Sequence, residues 1–123
     1  MKEHRQYTRY HMRWGIALIL DDAGAGVPFE GKTHDLSMGG AAMHTEHNLF
    51  SAHPVTALLA PPPLYRGEKQ TIIEIRCRPV YCVYSCVGQC FRIGLQFIKF
   101  AGNDRHVLEE RLQHHIPAFE NKT

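Results

Sequence analysis

Apolar side chains recur at every second position along several short stretches of this chain, which is the pattern of half-buried β-strands. In the first stretch the alternation is regular, and the segment then becomes apolar on both sides. The stretches with strand patterning are residues 12–20, 32–45, 55–60, 69–84 and 90–100. Because turn-forming residues separate them, the pattern predicts five or six strands.

Glycine and proline residues predict where these strands break. The glycine-rich segment 21–31 is typical of a connecting turn. Gly39 and Gly40 predict a bulge or a sharp bend within the second stretch. Pro79 predicts an edge position or a bulge halfway along the longest stretch. Residues 85–89 are expected to form the hairpin turn that follows it.

One amphipathic helix is predicted after the last strand. Asn103 and Asp104 suit a helix start, and Pro117 would end the helix. Its apolar stripe consists of Val107, Leu108, Leu112 and Ile116. Strands at close spacing followed by one helix favour an all-β fold, a small antiparallel barrel with the helix packed against it.

The size and charge of the chain indicate one globular domain with a basic N-terminus. The chain has 123 residues, of which 44% are apolar, and a formal net charge of +2. Residues 1–13 contain one acidic residue, Glu3, and four basic ones, Lys2, Arg5, Arg9 and Arg13. This excess of positive charge indicates an anionic partner. We therefore divide the chain into a basic ligand-binding arm at 1–11, a barrel with its helix at 12–116 and a tail at 117–123.

The sequence also carries expectations about location and metals. The longest apolar run, residues 16–20, is far shorter than the roughly 20 residues of a membrane-spanning helix. No export signal is evident, so we expect a cytoplasmic protein with no membrane partner. Its cysteines should therefore be reduced thiols, and their spacing does not fit a zinc site. These cysteines are Cys77, Cys82, Cys86 and Cys90.

Two arginines in the arm have the chemistry to hold a guanine nucleotide. Arg5 and Arg9 are four residues apart, so both side chains can lie on the same side of the arm and bind one ligand. Arginine bonds phosphate with two parallel hydrogen bonds and recognises the O6 and N7 edge of guanine. The simpler interpretation is a pair of solubilising charges on a terminal segment.

The segment 34–40 supplies the complementary groups. Asp35 and Ser37 are two apart on a predicted strand, so they should share one face. The carboxylate can accept from N1 and N2 of guanine, and the hydroxyl can bond phosphate or base. Gly39 and Gly40 would let backbone amides approach an anion closely. Alternatively, Asp35 and Ser37 only shape a bulge by bonding their own backbone.

Together these segments resemble the PilZ domain family, whose signature is R-x-x-x-R followed about twenty to thirty residues later by [DN]-x-S-x-x-G. Arg5 and Arg9 match the first part, whereas Asp35, Ser37 and Gly40 match the second. The likeness extends through the later strands and the helix. It implies a six-stranded antiparallel barrel that binds the bacterial second messenger cyclic di-GMP.

In this family the arginines contact phosphates and guanine edges, and the acid and serine hold a guanine from the barrel side. Arg5, Arg9, Asp35, Ser37, Gly39 and Gly40 are thus the expected binding residues. His4, Gln6 and Tyr7 are further candidates, and His4 stands where many members carry another arginine. Whether one nucleotide or a stacked pair binds is left open.

The resemblance implies a receptor and not an enzyme. A stand-alone receptor of this kind would pass its signal to an effector protein through ordering of the arm. No nucleophile elbow, carboxylate pair or phosphate-binding loop occurs in the sequence, and no cofactor is expected. Two alternatives remain: a PilZ-type interaction module that binds no nucleotide, and a small nucleic-acid-binding barrel. The mild net charge of +2 argues against the second alternative.

Overall fold

The structure, a computed structural model, describes residues 7–20, 27–85 and 87–115. These residues form seven strands and one helix. In chain order they are β1 (Tyr10–His11), β2 (Gly15–Ile19), β3 (Pro28–Leu36), β4 (Gly40–Thr45), β5 (Val55–Ala60), β6 (Ile73–Ser85), β7 (Cys90–Phe100) and α1 (Asp104–Leu112). The predicted bounds of β5 and β7 are confirmed.

Strands β2 to β7 close into an antiparallel barrel. Around the barrel the order is β3, β2, β5, β6, β7 and β4, and β4 pairs back with β3. The short strand β1 pairs with the C-terminal end of β3, where Tyr10 lies opposite Leu36 and His11 opposite Asp35. The expected all-β fold, a six-stranded barrel with a C-terminal helix, is therefore confirmed, and the last two residues of the arm add a short strand to it.

The boundary between the first turn and β3 differs from the prediction. Pro28–Leu36 is one continuous strand, so residues 28–31 belong to the sheet and not to the turn. Gly31 is needed there because a Cβ atom would lie 2.3 Å from the carbonyl oxygen of His44 on the next strand. This glycine marks a close approach between two strands, which sequence composition does not distinguish from a turn.

The other predicted breaks agree with the structure. Gly39 lies in the bend between β3 and β4, and Gly40 begins β4. The pairing of β6 with β7 shifts register between Pro79 and Tyr81, which is the bulge expected at that proline. Residues 87–89 form the turn of the β6–β7 hairpin, and Cys86 lies outside the described residues.

One hydrophobic core fills the barrel. Trp14, just before β2, is 3% exposed. The largest fully buried apolar side chains are Leu18, Leu36, Met43, Leu59, Ile73, Ile75, Ile93 and Leu108. The helix contributes Leu108 and Leu112, as its apolar stripe predicted, and Val107 packs against the same core. Burial of this apolar surface is the main driving force for folding.

The helix ends earlier than the sequence indicates. Its last residue is Leu112, and Ile116 lies outside the described residues. Asn103 occupies the N-cap position but makes no side-chain capping bond. Instead, Asp104 accepts a hydrogen bond from the backbone N–H of Glu74 on β6 at 2.8 Å. The start of the helix is thus tied to the barrel by a tertiary contact.

Candidate functional site

A row of paired residues crosses the outer face of the barrel. Residues opposite each other in antiparallel strands lie side by side on one face of the sheet. Tyr81 pairs with Gly94, Gly94 with Ala42, Ala42 with Asp35, and Asp35 with His11. This row joins five strands, and its members come from parts of the sequence as distant as His11 and Gly94.

Two bulges turn Asp35 and Tyr81 onto this face. The β3–β4 register shifts between Thr33 and Asp35. Thr33 is opposite Met43, which points into the core, whereas Asp35 is opposite Ala42, which points outward. Because of the extra residue, Asp35 faces outward and Leu36 still reaches the core. The bulge after Pro79 aims Tyr81 at the same face.

Asp35 connects the arm to the barrel. Nη2 of Arg9 donates a 2.9 Å hydrogen bond to Oδ2 of Asp35, and Nδ1 of His11 lies 2.6 Å from Oδ1. Asp35 is only 6% exposed. Burial alone would raise the pKa of Asp35, but the hydrogen bonds with His11 and Arg9 outweigh it and hold the pKa below its usual value. The carboxylate is therefore ionised at neutral pH.

Arg9 and Asp35 border a cavity of about 460 Å³. The remaining lining residues are Leu36, Ser37, Gly39, Gly40, Ala41, Ala42, Val80, Tyr81, Arg92, Gly94, Leu95 and Gln96. Glycine and alanine dominate the floor, with Tyr81 along one side and the charged groups along the other. Two of these glycines are already covered by aromatic rings, Gly94 by Tyr81 and Gly39 by Tyr7.

Ser37 has a different place from the one its spacing indicated. Strand β3 ends at Leu36, so Ser37 lies in the turn and does not share a strand face with Asp35. Its Oγ accepts hydrogen bonds from the N–H groups of Gly39 and Gly40 at 3.1 and 3.2 Å. The local geometry is therefore the backbone-shaping role that hydroxyl side chains often have in turns. The turn nevertheless lies on the wall of the cavity.

Three further contacts hold the described part of the arm, and the residues that follow it, on the barrel. The ring of Tyr7 covers Gly39, where a Cβ atom would be 2.7 Å from the ring. Tyr10 packs against the core. The buried hydroxyl of Thr33 accepts from the N–H of Trp14 at 2.8 Å and donates to the carbonyl oxygen of Met12. These contacts fix the direction from which Arg9 reaches Asp35.

The structure brings together Arg9, Asp35, Ser37, Gly39 and Gly40 from the expected set. Tyr7 lies beside this group at Gly39. The other expected residues, His4, Arg5 and Gln6, lie outside the described residues.

Strands β6 and β7 contribute residues that the sequence analysis missed. Tyr81, Arg92, Gly94 and Gln96 all line the cavity. Arg92 and Gln96 alternate with the buried residues of β7, so in the sequence they resemble solvent-exposed positions. Gly94 lies inside a predicted strand, where an isolated glycine indicates a bulge or a close approach. Here the approach is by the ring of Tyr81, 2.2 Å from the position of a Cβ atom.

Histidines lie beside the cavity on the outer face. The ring centroids of His11 and His34 are 6.0 Å apart, and those of His34 and His44 are 5.2 Å apart. Burial lowers the pKa of His44, and the charges of His34 and Arg92 lower it further. His44 is therefore uncharged at neutral pH.

A larger cavity of about 860 Å³ lies on the outer face of β2, β3, β4 and β5. Its charged lining residues are Arg13, Lys32, Glu30 and Glu46, two cations and two acids, with His44 and His47 beside them. This balance of charge suits an anionic ligand less well than the charges at the smaller cavity, where Arg9 and Arg92 accompany one carboxylate. We therefore place the candidate site at the smaller cavity.

Among residues 7–20, 27–85 and 87–115, no cluster of three or more metal-binding side chains occurs. Cys77, Cys82 and Cys90 are free thiols, and burial raises the pKa of Cys77 to about 12. No helix in the described part of the chain is long and apolar enough to cross a membrane.

The fold and the site define a small antiparallel barrel with a cationic arm over an acidic residue on its outer face. The sequence model of the PilZ domain matches residues 3–114. The chain therefore belongs to the PilZ domain family, a family of cyclic di-GMP receptors. A search of curated proteins gives no significant match.

Solved structures agree with this family in fold. The Bacillus subtilis inhibitor of motility MotI/DgrA superposes with a TM-score of 0.69 at 16% identity, over 92% of this chain and 52% of that one. The Escherichia coli PilZ domain of YcgR with c-di-GMP gives 0.58 at 14% identity, over 89% and 88%. The K. pneumonia MrkH–c-di-GMP complex gives 0.61 at 18%, over 92% and 52%. This chain thus spans about half the length of MotI/DgrA and MrkH.

Proposed function

We propose that this chain binds cyclic di-GMP in the cavity between the arm and strands β3, β4, β6 and β7. The proposed binding residues are Arg5, Arg9, Asp35, Ser37, Gly39 and Gly40, with His4, Gln6 and Tyr7 as further contacts. The division into an arm at 1–11, a barrel with its helix at 12–116 and a tail at 117–123 is part of this proposal. The protein acts as a receptor and not as an enzyme.

The observation that carries the proposal is the contact between Arg9 and Asp35. These residues come from the two halves of the family signature, 26 positions apart, and their side chains meet at 2.9 Å on the wall of one cavity. A guanidinium and an ionised carboxylate side by side offer both the donors for phosphate and the acceptor for guanine N1 and N2.

Binding would become a signal through an exchange of hydrogen bonds. Asp35 is bonded to Arg9 and His11, so a guanine that bonds this carboxylate competes with both arm residues. We propose that the arm then becomes ordered over the nucleotide, with Arg9 turned toward a phosphate. The rearranged arm and the adjoining barrel face form a surface that an effector protein recognises.

We place this receptor in the cytoplasm. Its free thiols at Cys77, Cys82 and Cys90 fit a reducing compartment. The effector is a separate protein, and a pull-down with and without cyclic di-GMP would capture it in a nucleotide-dependent manner.

Calorimetry with Arg9→Ala tests the binding site. Wild type is expected to bind cyclic di-GMP with a micromolar or lower Kd. Since charge-assisted hydrogen bonds contribute about 1.5–3 kcal/mol each, Arg9→Ala should weaken binding at least about tenfold. Arg66→Ala is the matched control, because this exposed arginine lies in the loop between β5 and β6 and does not line the cavity.

The same titration distinguishes the alternatives. If wild type gives no heat at tens of micromolar nucleotide, the receptor proposal is wrong, and a module acting through protein contacts alone is favoured. Equal affinities of wild type and Arg9→Ala would refute the role of this arginine. Competition by single-stranded RNA or DNA at the same site would favour the nucleic-acid-binding barrel.

A further inference from the structure

Arg92 lies on the cavity wall beside Asp35, although it belongs to neither half of the family signature. It projects from β7 on the outer face, opposite His44 of β4 and Val83 of β6. Its Nη2 atom is 3.7 Å from Oδ2 of Asp35, a distance of weak charge attraction and not of a hydrogen bond. Unlike Arg9, it is carried by the barrel and not by the arm.

Arg92 has unused hydrogen-bonding capacity at this position. Within the described residues, its Nε is a buried side-chain nitrogen with no hydrogen-bond partner. A buried donor without a partner costs free energy, so Arg92 would be stabilised by a ligand that brings a hydrogen-bond acceptor to this wall. The side chain as a whole is 38% exposed and lines the cavity, so part of it is open to a ligand.

We propose that Arg92 and Asp35 together recognise one guanine base. This inference rests on the proposed binding of cyclic di-GMP. On guanine the N1 and N2 donors adjoin the O6 acceptor, which is followed by N7, and arginine bonds O6 and N7 bidentately. An acid and a guanidinium side by side match this order of donors and acceptors. Asp35 binds the N1 and N2 side, and Arg92 binds O6 and N7.

The consequence is a division between base recognition and phosphate binding. Asp35 lies on β3 and Arg92 on β7, and both strands pair with β4, so both residues are held by the barrel and suited to select a base by geometry. Once guanine bonds the carboxylate of Asp35, Arg9 loses this partner and can bond a phosphate. Arg92 is thus a specificity-determining residue. If it bound phosphate instead, as Arg5 and Arg9 are proposed to do, it would contribute equally to the affinity for any cyclic dinucleotide.

Calorimetry with cyclic di-GMP and its 7-deaza analogue, in which carbon replaces N7, tests this proposal. Arg92→Gln should bind cyclic di-GMP about tenfold or more weakly than wild type. The 7-deaza analogue should bind wild type more weakly than cyclic di-GMP but bind Arg92→Gln equally well, because the partner of N7 is already gone. Such non-additivity is the signature of direct contact.

Two further variants complete the experiment. Lys99→Gln removes one positive charge from an exposed position on the same strand and should bind like wild type. Arg92→Lys retains the charge but lacks the planar fork, so it should also lose the preference for N7. Circular dichroism and thermal unfolding verify that each variant is folded.

Three results would overturn the proposal. An unchanged affinity of Arg92→Gln would exclude a ligand contact. A weaker affinity with the same penalty for the 7-deaza analogue as in wild type would place Arg92 on a phosphate. Absence of cyclic di-GMP binding by wild type would remove the proposed function and this inference with it, whereas the first two results leave the proposed function intact.

Discussion

The two faces of β3, β4 and β7 carry different side chains. Large apolar side chains lie on the inner face, and small or polar ones lie on the outer face. On β7 the inner face carries Ile93 and Leu95, which are buried in the core, and the outer face carries Arg92, Gly94 and Gln96. On β4, Met43 points inward and Ala42 outward, and on β3 Leu36 and Asp35 divide in the same way. Each strand thus holds the fold with one face and forms the site with the other.

The difference between the faces explains how a small domain can carry a candidate binding site without losing its core. Alternation in a strand separates the two sets of side chains sterically, so small or charged residues outside leave the packing inside unchanged. The β3 bulge serves both the core and the candidate site, because it places Asp35 on the outer face and Leu36 on the inner face. Substitutions on one face should therefore affect stability, and those on the other should affect ligand affinity.

The largest expected effect belongs to the inner face. Ile93→Ala should lower the free energy of unfolding by about 2–5 kcal/mol, because it leaves a cavity at a fully buried position. Chemical denaturation measures this loss. The control is Ile98→Ala on the same strand, where the side chain is 45% exposed and the loss should be small. In the folded fraction, cyclic di-GMP affinity should remain near wild type, and a large loss there would contradict the separation of the faces.

A smaller effect, now on affinity, is expected from the outer face. Asp35→Asn retains the shape of the side chain but removes the charged acceptor, so cyclic di-GMP should bind about 10- to 150-fold more weakly, equivalent to about 1.5–3 kcal/mol. Calorimetry measures the change. Glu30→Gln makes the same chemical change at an exposed position of the same strand and should have no effect. Wild-type affinity in Asp35→Asn would contradict the assignment of this carboxylate.

The smallest effect is a pH dependence of stability that originates from Asp35. Its pKa in the folded protein is lowered from 3.8, so the unfolded chain binds a proton more readily than the folded one. The ionised carboxylate therefore contributes stability above about pH 4, and this contribution is lost as pH falls through the folded-state pKa. Urea denaturation between pH 6 and 3 should show wild type losing more stability than Asp35→Asn. Parallel curves would show that the contacts of Asp35 add no stability.

Periodicity predicted most of the barrel. The bounds of β5 and β7 follow from their apolar patterns and from the prolines and turn residues beside them. Pro79 indicated an edge position or a bulge in β6, and the structure has the bulge. Prediction from periodicity was wrong where contacts between distant segments, and not the local sequence, determine the secondary structure. Gly31 belongs to a strand because His44 approaches it, and β1 has only two residues, too few for any pattern. Asn103 suits a cap, but the helix start is held by Asp104 and Glu74 instead.

The candidate site divides in the same manner. Arg9, Asp35 and the turn from Ser37 to Gly40 could be recognised because they are local motifs with fixed spacing. Arg92 and Tyr81 could not, since an arginine or a tyrosine on the outer face of a strand resembles an ordinary surface residue. Only the pairing of β6 with β7 and of β7 with β4 places them beside Asp35.

The sequence by itself determined the class of fold, the family motifs and the residue types that suit a guanine nucleotide, because these depend on periodicity and on spacing within a few residues. The tertiary structure alone decided which side chains share the cavity, that Asp35 is held by Arg9 and His11, and that Arg92 joins them. The physical reason is that barrel closure and two bulges set the cross-strand neighbours, and these depend on register between distant segments and not on local sequence.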